Sequence, residues 1–344
     1  MKMLCLVLVA FVTLTPIYGI TPAMADEGLF APEQIAVPFD KELALKSLVR
    51  ISVNIYFVAT VFERKEDVET FRKMPRKTFL PQGVVLWYIT LSKAELDEFR
   101  ADEGKRLTPG FFEIVRAFEG VTTFPIQKVI PLEGTATGFF VSKQGHILTN
   151  YHIMREEIEA MKRTMGSGEE TPTLYTIFET PIVKAGRIVG WQPLKDIKLI
   201  RNLSAKDWQA GFDGALLKAD VSPQAYLPIA ERSPQLGEEL WHFGFPMRTR
   251  RNPERLKVVG YTDADGSLRV SHGKVTEVQD HNFITDADSF SGNSGSPALT
   301  RDGKVLGFLW NTYPNAEVER RATMFQGGSI YVTALPVAKK LQIR

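Results

Sequence analysis

Apolar and polar positions divide this chain into short runs, most of which read as strands. Leu48 to Ala59 is rich in β-branched residues with partial alternation, the pattern of a half-buried strand. Glu66 to Met74 places Val68, Phe71 and Met74 along one helical face, and Val84 to Ile89 predicts a second strand. Ser92 and Glu95 then form a capping box, with Leu91 and Leu96 spaced as a hydrophobic staple, so a helix should begin there. A third helix is predicted from Thr108-Pro109 to Gly120, with Phe111, Val115 and Phe118 on one stripe. Two apolar runs, Gly134 to Val141 and His146 to Tyr151, flank the polar turn Ser142 to Gly145 and read as a β-hairpin. Arg155 to Met165 is a charged helix-like stretch, and Leu174 to Phe178 and Ile182 to Val189 are strand-like. Gly237 to Pro246 reads as a strand followed by a turn, and further strands are predicted at Lys257 to Tyr261, Gly273 to Val278, Phe283 to Asp286, Val305 to Trp310 and Ile330 to Thr333. Asp302-Gly303 is a hairpin turn signal, and Ala334 to Gln342 closes the chain as a helix with Pro336 in its first turn.

With 344 residues, 44% hydrophobic and 24% charged, the chain has ample length for a packed core. A net charge of +2 argues against a nucleic-acid partner. The start changes the picture. Lys2, the apolar run Met3 to Leu14 and Ala23-Met24-Ala25 have the form of a signal peptide over residues 1–25, cleaved after Ala25. The apolar run is too short to span a bilayer comfortably, so no stable membrane span is expected after cleavage. The protein is then exported, periplasmic or secreted, and loses Cys5, its only cysteine. Residues 26–130 carry amphipathic stripes and read as a packed α/β unit. Either it is an insertion after the strand near residue 50, the reading favoured here, or a separate N-terminal domain. The main body is 131–344. His146, His152, His242, His272 and His281 show no zinc-helix spacing, so no metal or cofactor is expected, and His146 and His242 read as strand residues satisfied by neighbours.

The chemistry concentrates in Ser289-Phe290-Ser291-Gly292-Asn293-Ser294-Gly295-Ser296-Pro297. Gly292 and Gly295 permit a tight bend that exposes Ser294 and aims the Gly292 and Ser294 amides at one point, the form of an oxyanion hole beside a nucleophile. A serine hydroxyl needs a base, and the base needs a shielded carboxylate to hold its tautomer. His152 directly follows the second strand of the 134–151 hairpin, and Asp213 heads the apolar run Gly214 to Leu217. Asp196 and Asp207 compete for the acid's place but lie in lysine-rich, polar surroundings.

These three local sequences, in the order His, Asp, Ser, resemble the trypsin/chymotrypsin-like serine peptidases, above all their disulfide-free bacterial branch. That branch includes periplasmic heat-shock serine proteases and glutamyl endopeptidases; bacterial dipeptidyl-peptidases share the motifs. The resemblance covers roughly residues 130 to 340. It implies a mostly β fold of two six-stranded antiparallel barrels, here with an extra α/β unit and a C-terminal helix. It implies a serine endopeptidase acting on peptides or proteins through His152, Asp213 and Ser294; the oligomeric state stays open. Alternatives are a dipeptidyl-peptidase-like exopeptidase and a silent binding protein of the same fold. In the digestive members an aspartate before the nucleophile pairs with a new N-terminus; Asn293 stands there, which implies no activation of that kind. By the same register Asp288 lies at the base of the primary pocket, with Leu309, Trp310, Asn311 and Thr312 along its wall. A pocket based on Asp288 would favour Arg or Lys before the scissile bond.

Overall fold

The first half of the molecule is built on one long strand, β1 (Leu48–Phe62). The computed structural model describes residues 35–71, 77–80, 84–101, 114–155, 176–204, 206–207, 210–245, 268–287, 289, 292–312 and 329–343. A short helix, α1 (Lys41–Lys46), leads into β1 and is capped by Asp40, whose carboxylate accepts from the Leu43 amide at 3.0 Å. β1 pairs antiparallel with β4 (Ile126–Phe140) from Leu48↔Phe139 to Val61↔Ile126. Its other edge is shared. Arg50 to Ser52 pair with β6 (Ile177–Lys184), and Asn54 to Phe62 pair in parallel with β3 (Val84–Ser92).

That handover at Val53 separates two cores. Beyond it, β3 carries β2 (Lys77–Leu80), and the elements α2 (Lys65–Phe71), α3 (Lys93–Ala101) and a helical turn at 114–117 follow. Ala59, Val61, Leu91, Leu96, Ile114, Phe118 and Ile130 form a hydrophobic cluster of their own there. The capping box that opens α3 is reciprocal: Glu95 Oε2 accepts from the Ser92 amide at 2.8 Å, and Ser92 Oγ accepts from the Glu95 amide at 3.2 Å. The chain thus leaves along β1, builds this layer and returns along β4.

On the near side of Val53, β4 pairs with β5 (His146–Thr149), β5 with β9 (Ala215–Lys218) and β9 with β8 (Lys198–Asn202). β6 and β7 (Arg187–Leu194) form a hairpin. Its turn is Ala185-Gly186, with φ of 50° and 70°. The run Ile182 to Val189, read from sequence as one strand, is therefore bent in its middle. Two consecutive positive φ values match the twist of the flanking strands, and the apolar pattern does not reveal them.

The second half is a closed antiparallel barrel. Its strands run β10 (Glu239–Gly244), β11 (Arg269–Val278), β12 (Asn282–Thr285), β15 (Ser329–Thr333), β14 (Val305–Thr312) and β13 (Pro297–Leu299), which returns to β10. Leu240, Val275, Phe283, Ala298, Leu306, Leu309 and Tyr331 fill it, and helix α4 (Ala334–Leu341) follows. The expected mostly β, chymotrypsin-like fold with a C-terminal helix is present, as a closed barrel and a second sheet of nine strands. A larger cluster, including Leu48, Phe139, Leu148, Trp241, Phe243, Phe308 and Val332, packs the two sheets together. Trp241 Nε1 donates to the Ala36 carbonyl at 3.0 Å, and Phe39 packs against Trp241, so the segment before α1 lies on the barrel.

The signal segment, the strand predicted at 257–261 and nearly all of the helix predicted at 155–165 lie outside the described residues. Among the described residues no helix is long and apolar enough to cross a membrane.

Candidate active site

The β5–β9 ladder explains how two residues far apart in sequence meet. It pairs Thr149 with Ala215, so the exit of β5 lies beside the entry of β9. His152 stands in the helical turn 151–155 just past β5, and Asp213 stands just before β9. Tyr151 and Met154, both buried in the first-half core, anchor that turn. The Asp213 side chain is fully buried, and the His152 ring is about one-third exposed. His152 Nδ1 lies 2.5 Å from Asp213 Oδ2, and the His152 amide donates to Asp213 Oδ1 at 3.0 Å. Asn150 Nδ2 donates to the Asp213 carbonyl at 3.3 Å. With Nδ1 as the donor, Nε2 keeps its lone pair and is available as a base.

The competing acids lie elsewhere. Asp196 is exposed on a residue with φ of 53°. Asp207 accepts from Lys340 Nζ and from Ser204 Oγ and its amide, which lower its pKa to about 2.

The bend that carries Ser294 has φ of 97° at Gly292 and 83° at Gly295, and the Ser296 amide closes it onto the Asn293 carbonyl at 2.9 Å. Both halves of the molecule grip it. The Thr137 amide, in β4, donates to the Ser294 carbonyl at 2.8 Å. From β14, Leu309 accepts from the Gly295 amide at 2.9 Å and donates to the Ser296 carbonyl at 2.8 Å. A Cβ at Gly295 would stand 2.0 Å from the Thr137 carbonyl oxygen, so no other residue fits. Behind the bend, Asn293 and Ser296 are fully buried, and among the described residues neither the Asn293 amide group nor Ser296 Oγ has a hydrogen-bond partner.

The structure joins His152 to Asp213 and ties Ser294 by its backbone to the strand pair that carries His152. Among the described residues no hydrogen bond links the Ser294 hydroxyl to the His152 ring; such bonds are often loose before substrate binds. Of the residues expected to form the primary pocket, Asp288 lies outside the described set. Leu309 contributes its backbone, because its side chain is buried in the barrel core. Trp310 is half-buried against the central cluster, Asn311 is exposed, and the Thr312 side chain is outside the described set.

Three further residues stand close to the site: Thr149 and Asn150, from the Leu148-Thr149-Asn150-Tyr151-His152 run that leads into His152, and Thr137, which the sequence did not single out. All three are fully buried; Thr137 and Thr149 are small polar residues inside apolar strands, and Asn150 directly follows one. The other strand histidines have partners, His146 Nδ1 with Ser142 Oγ at 2.8 Å and His242 Nδ1 with Tyr331 Oη at 2.7 Å. Burial, with a smaller push from Arg269, lowers the His242 pKa to about 3. Among the described residues no three His, Cys, Asp or Glu side chains gather as a metal ion would need. A charged surface recess formed by Arg232, Glu238, Glu239, Arg301 and Asp302 includes none of the site residues, and its charges pair locally, as Arg232 does with Glu238 and Asp302 with Lys304.

Comparison with known proteins converges on these segments. A family model for the trypsin-like peptidase domain matches residues 136–308, half of the chain, and that span contains His152, Asp213 and Ser294. Protease Do-like 5, chloroplastic, of Arabidopsis thaliana is 27% identical over 187 residues, covering 53% of this chain and 49% of that one. A probable periplasmic serine endoprotease DegP-like of Hahella chejuensis is 24% identical over 212 residues, covering 61% of this chain and 35% of that one. The chain thus spans about half or less of the length of these curated relatives. Among solved structures, Deg5 aligns with a TM-score of 0.37 at 21% identity, over 60% of this chain and 81% of that one. The HtrA-type protease AlgW with decapeptide aligns with a TM-score of 0.43 at 12% identity, over 88% and 66%. The family match over residues 136–308, on the two sheets and the paired His152 and Asp213, places this chain in the trypsin-like peptidase family.

Proposed function

We propose that this protein is a serine endopeptidase that acts on exported peptides or proteins. The observation that carries the reading is the buried Asp213 carboxylate on His152 Nδ1 at 2.5 Å, with the Ser294 bend bonded to the strand beside them. Ser294 Oγ attacks the scissile carbonyl while His152 Nε2 takes its proton. The C–N bond then breaks, His152 gives that proton to the leaving amine, and an ester on Ser294 remains. Water, deprotonated by His152, attacks the ester; the acid product leaves and Ser294 regains its proton. Asp213 holds the imidazole tautomer and stabilises the imidazolium. The Gly292 and Ser294 amides bind the oxyanion in both halves of the reaction.

Export rests on the leader at residues 1–25 and agrees with the periplasmic description of the Hahella relative. Asp288, six residues before Ser294, gives a preference for Arg or Lys before the scissile bond. Neutral Asn293 leaves nothing for a new N-terminal ammonium to pair with, so the enzyme is competent without such cleavage. The test is digestion of an unfolded protein, with products mapped by mass. Internal cuts that vanish in Ser294→Ala are expected. Release of dipeptides alone, or no cleavage by folded protein, overturns the reading.

A further inference from the structure

The bend that carries Ser294 and the strand that carries His152 belong to different halves of the molecule, and one residue bonds to both. Thr137 lies in β4 and is fully buried. β1 occupies one edge of β4, and the Thr137 amide and carbonyl make their hydrogen bonds on the other. There β5 is in register only at Phe139 and Phe140. Two residues earlier that edge is taken by other groups. The Thr137 amide donates to the Ser294 carbonyl at 2.8 Å, and its carbonyl accepts from Thr149 Oγ1 at 2.7 Å. Thr149 is fully buried and ends β5, three residues before His152. The third contact uses the side chain: Thr137 Oγ1 accepts from the Phe245 amide at 3.1 Å, and Phe245 directly follows β10 of the barrel.

We propose that Thr137, braced by Thr149, is a positioning residue that sets the Ser294 bend in register with His152. The proposal rests on Ser294 being the nucleophile, as argued above. If burial alone mattered, valine would serve at either threonine, since it fills the same space in a strand. The hydroxyls are the difference. Thr149 Oγ1 fixes the carbonyl of Thr137, and Thr137 Oγ1 fixes the barrel strand next to the bend. Gly295 leaves no slack, because its Cβ would stand 2.0 Å from the Thr137 carbonyl and 2.6 Å from Thr149 Oγ1. Removing either hydroxyl lets the bend drift against His152. A displacement on the order of 1 Å costs roughly a hundredfold in rate, while peptide contacts outside the bend persist. The effect should therefore fall on kcat and spare KM.

The experiment measures the rate at which diisopropyl fluorophosphate phosphorylates Ser294, together with kcat and KM on a cleaved peptide. The proteins are wild type, Thr137→Val, Thr137→Ser, Thr149→Val and Thr149→Ser. Both valine variants should lose about tenfold or more in labelling rate and kcat, with KM within about twofold. Both serine variants should recover most of the rate, because they keep the hydroxyl. Equal loss in the valine and serine variants, a loss confined to KM, or wild-type labelling in both valine variants overturns the proposal. If Thr137→Val does not fold, the Thr149 pair separates the same outcomes. Absence of label on Ser294 in folded wild type overturns the nucleophile reading instead, and this proposal with it.

Discussion

Gly295 has no substitute: with φ of 83° and a neighbouring carbonyl where a Cβ would stand, even alanine must push the Ser294 bend off β4. Gly295→Ala should abolish labelling by a fluorophosphonate and lower the melting temperature; a variant with wild-type labelling contradicts the packing described. Asp213→Asn keeps the shape of the pair with His152 but stabilises the wrong tautomer. It should cut kcat by about ten-thousand-fold, measured at substrate saturation. His242 gives a pH dependence of stability. Its pKa is depressed to about 3 in the folded protein, against an unfolded value near 6.5, so the unfolded chain binds more protons between those limits. Its contribution is complete above about pH 6.5 and is lost as pH falls towards 3. His242→Gln should flatten the acid side of a plot of melting temperature against pH; an unchanged slope argues against this residue as the cause. His152, Asp213 and Ser294 stood out as candidates in the sequence because each lies beside a recognisable local run, and the structure pairs the first two. Thr137 did not, because its role lies in hydrogen bonds to segments that come together only in the fold.

Among the elements, the capping box at Ser92 was readable because its parts lie three residues apart and the pattern is local. Ser92→Ala should cost about 1 kcal/mol in urea unfolding and raise amide exchange in the first turn of α3. No change in either contradicts the cap. The hairpin of β6 and β7 was not read, because Gly186 is its single turn signal and alanine seldom takes the positive φ that Ala185 has. The length of β1 and β4 was also hidden. Their apolar patterns marked strands, but not that one edge of β1 passes from β6 to β3 at Val53.

At the scale of the whole molecule, the barrel was legible through its apolar runs and motifs, while the layer between β1 and β4 was only partly so. We propose that this layer is an insertion into the peptidase body, since it leaves and returns along paired strands and has its own core. Ile55 and Leu132 face each other in that ladder, so replacing residues 56–131 by Asn-Gly closes the strands into a hairpin. The shortened protein should keep its near-ultraviolet dichroism and its reaction with a fluorophosphonate; collapse of both counts against an insertion. The central claim is that two sheets bring Ser294 to a base held by Asp213. The most direct measurement is to treat the folded protein with diisopropyl fluorophosphate, digest it and locate the adduct by mass spectrometry. One diisopropylphosphoryl group is expected, on Ser294, absent from Ser294→Ala and greatly slowed in His152→Ala. An unmodified Ser294 in the folded wild-type protein, or an adduct on another serine, would contradict the claim.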